Sequence, residues 1–168
     1  MDRQLLKTAL KNGLCEYEIY FEDEPLPIKK SGKQYVIKID NVENVGSIHK
    51  KFDGQTVSYY QNQLVNLSVN CINVDRIHAL DLINDLSLSC EKEKLKSELL
   101  KINIGINNIQ MITDVSGFNE NNRYLSLASI TIQLNTVLKT TEKIDFIEKV
   151  KIQGTIDNKE KEEITIYE

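Results

Sequence analysis

Tryptophan is absent from the 168 residues, histidine occurs twice, and the three cysteines are scattered. Cys15, Cys71 and Cys90 are odd in number, far apart and without a C-x-x-C pair. This excludes a disulfide framework and a zinc ribbon, and leaves them as small apolar residues. His49 and His78 have no cysteine or carboxylate beside them at a ligand spacing, so no metal site is expected. The seven glycines, at positions 13, 32, 46, 54, 105, 117 and 154, assemble neither a P-loop nor a dinucleotide fingerprint. No cofactor is expected either. Carboxylates cluster as Glu22-Asp23-Glu24 and towards the C-terminus, where solvated charge is the ordinary reading and a paired acid-base site is not. With no serine or cysteine tied by any motif to His78, the sequence reads as non-enzymatic.

No apolar run approaches the roughly 20 residues of a membrane helix. The opening Met1-Asp2-Arg3-Gln4-Leu5-Leu6-Lys7 also lacks the apolar run of a signal peptide, so the protein is expected to stay in the cytosol where it is made. There is no basic excess. Lysine and arginine number 21 against 25 aspartates and glutamates, a net charge of −4. Tight non-specific binding to nucleic acid, which depends on neutralising several phosphates, is not favoured.

What is present is ordinary globular composition, 40% hydrophobic and 27% charged. A chain of this length buries about two-thirds of its unfolded surface in one core. The pattern predicts a single domain over 1–156 and a charged tail or arm over 157–168. Leu5, Leu6, Ala9 and Leu10 recur at helical spacing over 2–12, with Asp2 placed to cap the start and Gly13 to stop the end. Cys15 to Phe21 alternates and is aromatic, predicting a strand broken by Pro25 and Pro27. A second strand is expected over Gln34–Asp40. From Asn41 to Gln63 no alternation stands out, which predicts an irregular projecting loop or hairpin.

Leu64 to Val74 reads as a central strand, with Val65, Leu67, Val69 and Cys71 on one face and Asn66, Ser68 and Asn70 on the other. Asp75 is placed to cap a following helix that runs to about Cys90, and Glu91–Lys101 reads as a short charged helix. Ile102 to Met111 predicts a strand with a change of phase at Asn107-Asn108. Gly117 to Asn122 is turn chemistry. Tyr124–Leu138, with Ala128, Ile130, Ile132 and Leu134 on one face, is the next strand, and Ile144–Gln153 is a last short one. The fold class expected is α+β, a mixed and mostly antiparallel sheet with helices packed on one face.

Candidate function then falls on surfaces. Lys50, Lys51, Tyr59 and Tyr60 mix positive charge with rings inside the 41–63 segment, a combination suited to stacking on bases or to anchoring a protein contact. Ile164, Ile166 and Tyr167 form an alternating end that could add a strand to a neighbouring subunit's sheet.

The order of elements resembles a family of phage neck and tail-terminator, or tail-completion, proteins. Three passages carry the resemblance. Gln34-Tyr35-Val36-Ile37-Lys38-Ile39 precedes a variable segment and the long strand Gln63 to Asn73, which leads into Val74-Asp75-Arg76-Ile77. Asn121-Asn122-Arg123 leads into Tyr124-Leu125-Ser126-Leu127-Ala128-Ser129-Ile130-Thr131-Ile132, where the family carries an arginine before such a strand. Ile144-Asp145-Phe146-Ile147-Glu148-Lys149-Val150-Lys151-Ile152 is similar to the closing strand, with its Ile-Glu-x-Val pattern.

The aromatic residue that the family carries before the arginine is replaced here by asparagine. Over 30–153 the resemblance implies a structural virion protein forming a homo-oligomeric ring, commonly a hexamer, with Arg123 among its candidate contacts. Its implied partners are itself, the tail tube protein and the sheath and head-tail connector proteins, with genome DNA passing through unbound. The alternatives are a head-completion (stopper) protein, the same part of a headless tail-like particle, and a small nucleic-acid-binding module.

Overall fold

The computed structural model describes residues 2–14, 18–25, 34–72, 78–118, 120–122, 124–144, 150–154 and 162–166. Among these described residues three helices lie on one side of a five-stranded mixed, mostly antiparallel sheet, as the sequence pattern predicts. In chain order the elements are α1 (Arg3–Gly13), β1 (Glu18–Phe21), β2 (Gln34–Asp53), β3 (Thr56–Ile72), α2 (Ala79–Cys90), α3 (Glu93–Leu100), β4 (Ile104–Asp114), β5 (Gly117–Phe118), β6 (Tyr124–Leu125), β7 (Leu127–Lys143), β8 (Val150–Gly154) and β9 (Glu162–Ile166). The main sheet has the order β1-β2-β3-β7-β4, and β5-β6 and β8-β9 form separate two-stranded sheets.

Local chemistry explains the elements. Asp2 caps α1 as expected: its Oδ1 accepts from the Gln4 N–H at 2.8 Å and the Leu5 N–H at 3.3 Å. The α1 stripe buries Leu6, Ala9 and Leu10, and the leucines are each worth about 2 kcal/mol of apolar burial. Strand alternation buries Ile19 and Phe21 on β1, Tyr35 and Ile37 on β2, Val65, Leu67, Val69 and Cys71 on β3, and Ala128, Ile130, Ile132 and Leu134 on β7. α2 closes this layer with Ala79, Leu82, Ile83 and Leu86, and α3 with Leu95 and Leu99. The buried Tyr35 hydroxyl donates to the Leu82 carbonyl at 2.8 Å, tying β2 to α2. His78 holds the N-cap position of α2 without a side-chain cap bond. The expected cap Asp75 lies outside the described residues, and the Ala79 N–H is satisfied at 2.9 Å by the Ser126 hydroxyl.

β1 pairs parallel to β2 through Gln34–Ile37, and β4 pairs antiparallel to β7 through Ala128–Thr136. The β4 register shifts between Ile106 and Asn108, where the sequence changes phase, and again between Ile109 and Ile112. β3 and β7 are antiparallel: Gln133 donates to Asn66 at 3.0 Å and Ser58 meets Thr141 at 3.4 Å. Moving between those pairs goes back along β3 by as many residues as it goes forward along β7.

Of the two alternatives expected for 41–63, the irregular loop is corrected and the hairpin is found: the segment consists of parts of two long strands, β2 and β3, joined at Gly54-Gln55. Its residues are exposed or half-buried on both faces, apart from Val57, so no apolar alternation marks it. Ser68 donates to Asp40, and from there to the turn β2 has one residue more (Asp40 to Asp53) than β3 (Thr56 to Ser68). The extra residue marks a bulge in β2, a strand that also carries Gly46 at φ +73°, a left-handed conformation open to glycine. β7 likewise runs past the expected end at Leu138, to Lys143.

Contacts divide the chain into two compact units: Met1–Ile48 with Tyr60–Leu138, and His49–Tyr59 with Lys139–Glu168. The core just described belongs to the first. The second contains the ends of β2 and β7, the start of β3, and the β8-β9 pair. Val150 pairs with Ile166 and Gly154 with Glu162, so the C-terminal segment that could have added a strand to a neighbour pairs with β8 of its own chain.

Candidate interaction surface

In the second unit three strand segments lie side by side, and their cross-strand neighbours define two faces. Lys50 Nζ stands 5.5 Å from the centre of the Tyr59 ring, and the Tyr59 hydroxyl donates to Glu142 at 3.1 Å. A single row therefore crosses the ribbon from β2 through β3 to β7. The bond to Glu142, with that carboxylate's negative charge and some burial, pushes the Tyr59 hydroxyl above its ordinary 10.0. On the opposite face Ser58 and Thr141 meet through their hydroxyls. The Ile144 N–H donates to the Gln55 carbonyl at 3.0 Å, fixing the end of β7 beside the turn.

Strand alternation separates the four residues that the sequence groups together. Lys50 and Tyr59 share one face, whereas Lys51 and Tyr60, their immediate neighbours, turn to the other. A stacking platform of two rings and two lysines is not assembled. Ile164 and Ile166 lie on β9, paired with Ile152 and Val150. Arg123 and Tyr167 lie outside the described residues. Glu142, Asp53 and Lys143 were not singled out by sequence reasoning. The available signal was the β-branched pair Thr140-Thr141, which continues the β7 alternation past Leu138.

Exposed apolar side chains accompany these strands. In the first unit they are Val42, Val45, Ile48, Val137 and Leu138. A second exposed group surrounds the β5-β6 pair, where Phe118 and Tyr124 meet edge to face with centroids 5.5 Å apart. Phe118 remains 73% exposed despite this contact.

The remaining polar groups serve structure. An open groove of about 510 Å3 in the first unit is bordered by Val45, Asn62, Leu64, Leu100, Asn103 and Asn135, and its lining holds no acid, base or thiol. Burial pushes the Cys71 thiol up to about 11 and, with Glu91 nearby, the Cys90 thiol to about 12. Neither forms a thiolate at neutral pH. The Asp114 carboxyl is held below its ordinary 3.8 first by hydrogen bonds from Ser116, with a smaller contribution from His78. The Ser116 hydroxyl is itself engaged by the Leu127 backbone, so these groups close a turn and do not form a nucleophile with its base. Among the described residues no three His, Cys, Asp or Glu side chains converge as metal ligands, and no helix is long and apolar enough to cross a membrane.

No protein-family model matches the chain, and no curated protein matches it.

Proposed function

We propose that this chain is a structural subunit of a phage tail, one copy of a ring that terminates the tail tube and joins the tail to the head. The observation that carries the reading is a sheet whose strands outrun their neighbours. β2 and β7 continue well past the residues that β1 and β4 cover, exposing backbone edges and large apolar side chains together. Such edges are a liability in a lone chain and a resource in an assembly. The resemblance in the order of elements over 30–153 supports a placement at the tail end.

Further support comes from the chemistry. The groove lined by carboxamides and apolar groups, the buried thiols and the occupied Ser116 hydroxyl suit a protein that holds surfaces together and does not transform a substrate. A net charge of −4 and the division of Lys50 from Lys51 suit a conduit past which DNA slides unbound. On this reading the partners are further copies of the chain, the tube protein and the connector, and the mature location is the neck of the virion.

Co-expression with the tail tube protein tests the proposal. Tubes capped by a ring of this chain in electron micrographs, and capture of tube protein by the tagged chain, are the expected results. Capture of the connector in place of the tube would replace the reading by head completion. Tight, salt-dependent DNA binding lost on Lys50→Ala and Lys51→Ala would replace it by a nucleic-acid module.

A further inference from the structure

Both outer edges of the ribbon in the second unit carry charges of both signs, Lys50, Lys51 and Asp53 on β2 and Lys139, Glu142 and Lys143 on β7. On one face the row begins with the cation of Lys50 on β2, passes through Tyr59 on β3, and ends with the anion of Glu142 on β7. On the other face Asp53 on β2 and Lys143 on β7 reverse that order, with Lys51 and Lys139 beside them. Alternation places Asp53 opposite in facing to Lys50, and Lys143 opposite to Glu142. All four side chains are exposed. Among the described strands neither edge has an outer neighbour here, because β1 pairs no further than Ile37 and β4 no further than Thr136.

Direction matters as much as charge. β2 and β7 are each antiparallel to β3, so they run the same way. A copy set beside another in the same orientation therefore offers its β2 edge to the first copy's β7 edge as a parallel strand, head to tail. Height is fixed as well. The Gly54-Gln55 turn sets Asp53 beside Thr56, and the Ile144–Gln55 hydrogen bond sets Lys143 beside Thr56 from the other side. In two copies at equal height Asp53 of one arrives opposite Lys143 of the other, and Lys50 stands diagonal to Glu142, within reach of long side chains. Each joint gains one opposite-charge pair on each face, opposed on the Asp53 face by Lys51, which stands diagonal to Lys139 and Lys143 of the neighbour. Two-fold pairing of β2 edges instead brings the Lys50-Lys51 pairs of two copies together, which is repulsive.

We infer that a second copy of this chain occupies each edge, the His49–Asp53 segment of β2 receiving the Thr140–Lys143 segment of β7, so that this ribbon is the joint from which a ring closes. The inference rests on the ring reading above and adds to it the strands, their direction and the charge pairs. Heterologous joints of this kind close when the rotation between copies divides a full turn.

Native mass spectrometry of the full chain, with circular dichroism to confirm folding, tests it. The wild type forms one closed species at a multiple of 19.3 kDa. Lys50→Glu and Glu142→Lys each raise the concentration for half-assembly by about tenfold or more. The double variant K50E/E142K returns to wild-type assembly, and so does an equimolar mixture of the two single variants, since each then meets an opposite charge in its neighbour. Unchanged assembly of both single variants, absence of rescue, or a closed two-fold dimer would overturn the inference. Rings on tail tubes that survive both reversals would remove this joint and leave the tail reading standing. Rescued self-assembly in a chain that never binds tubes would keep the joint and remove the tail role.

Discussion

Gly13→Ala is expected to destabilise the protein, against the rule that alanine improves a helix. Gly13 is the last residue of α1 and has ordinary helical backbone, so alanine meets no conformational obstacle there and propensity alone offers up to about 1 kcal/mol. Packing decides otherwise. A Cβ at this position lies 2.4 Å from Leu95 Cδ1 and 2.9 Å from Leu95 Cα. The Leu95 side chain could turn away, but its Cα belongs to α3, so α1 and α3 must separate. Overpacking against backbone falls at the upper end of the usual range, about 2–3 kcal/mol, which leaves a net loss of about 1–2 kcal/mol.

In urea, with a slope of about 2 kcal/mol/M, the midpoint falls by roughly 0.5–1 M without a change of slope. A double-mutant cycle isolates the cause. Leu95 is 1% exposed, so Leu95→Ala alone costs about 2–5 kcal/mol, and in that background Gly13→Ala should cost at least about 0.5 kcal/mol less. A midpoint at or above wild type for Gly13→Ala, or costs that simply add, would refute the close approach of the two helices.

Tyr35→Phe removes the buried bond to the Leu82 carbonyl and should cost about 1 kcal/mol in the same urea assay. The Lys7 ammonium donates to Glu24 and, ahead of the opposing effect of burial, holds that carboxyl below its ordinary 4.5. A depressed folded-state value means the contribution is present above the unfolded value and lost as pH falls through the folded one, so Lys7→Met should flatten the acid limb of stability against pH. Cys71 and Cys90, with thiols at about 11 and 12, should resist a thiol reagent at neutral pH until urea unfolds the chain, as read by mass spectrometry of the modified peptides. Glu142→Gln should bring the Tyr59 hydroxyl back towards its ordinary 10.0, seen by NMR of ring-labelled tyrosine, and an unmoved titration would remove the row across the ribbon.

The fold was legible wherever a strand or helix has one dry face. Leu6, Ala9 and Leu10 betray α1, and the alternation from Val65 to Cys71 and from Ala128 to Leu134 betrays the centre of the sheet, because burial filters the residue types at every second position. The same filter explains what was missed. β2 beyond Ile39 and β7 beyond Thr136 have neither face buried, so Val42, Ile48 and Phe52 stand among asparagine, lysine and glutamate without a rhythm. Their strand character comes from the β3 partner at the centre, a non-local fact that a local pattern cannot carry.

That blind region is also where the candidate surface lies, and the coincidence has a physical reason. A strand buried on one face is shaped by its own core and writes that fact as periodicity; a strand kept for a partner must stay wet in the lone chain, so its sequence looks like loop. Lys50 and Tyr59 drew notice as a basic and aromatic mixture, but without the strand pairing the split between Lys50 and Lys51 was invisible, as was the link from Tyr59 to Glu142 more than eighty residues away. Once the register is known, residues that composition treats as an undifferentiated charged surface separate into two edges and two faces, with Lys50 and Glu142 on one face and Asp53 and Lys143 on the other. Function in a protein of this kind is written in the order of strands, and the charges acquire meaning only after that order is fixed.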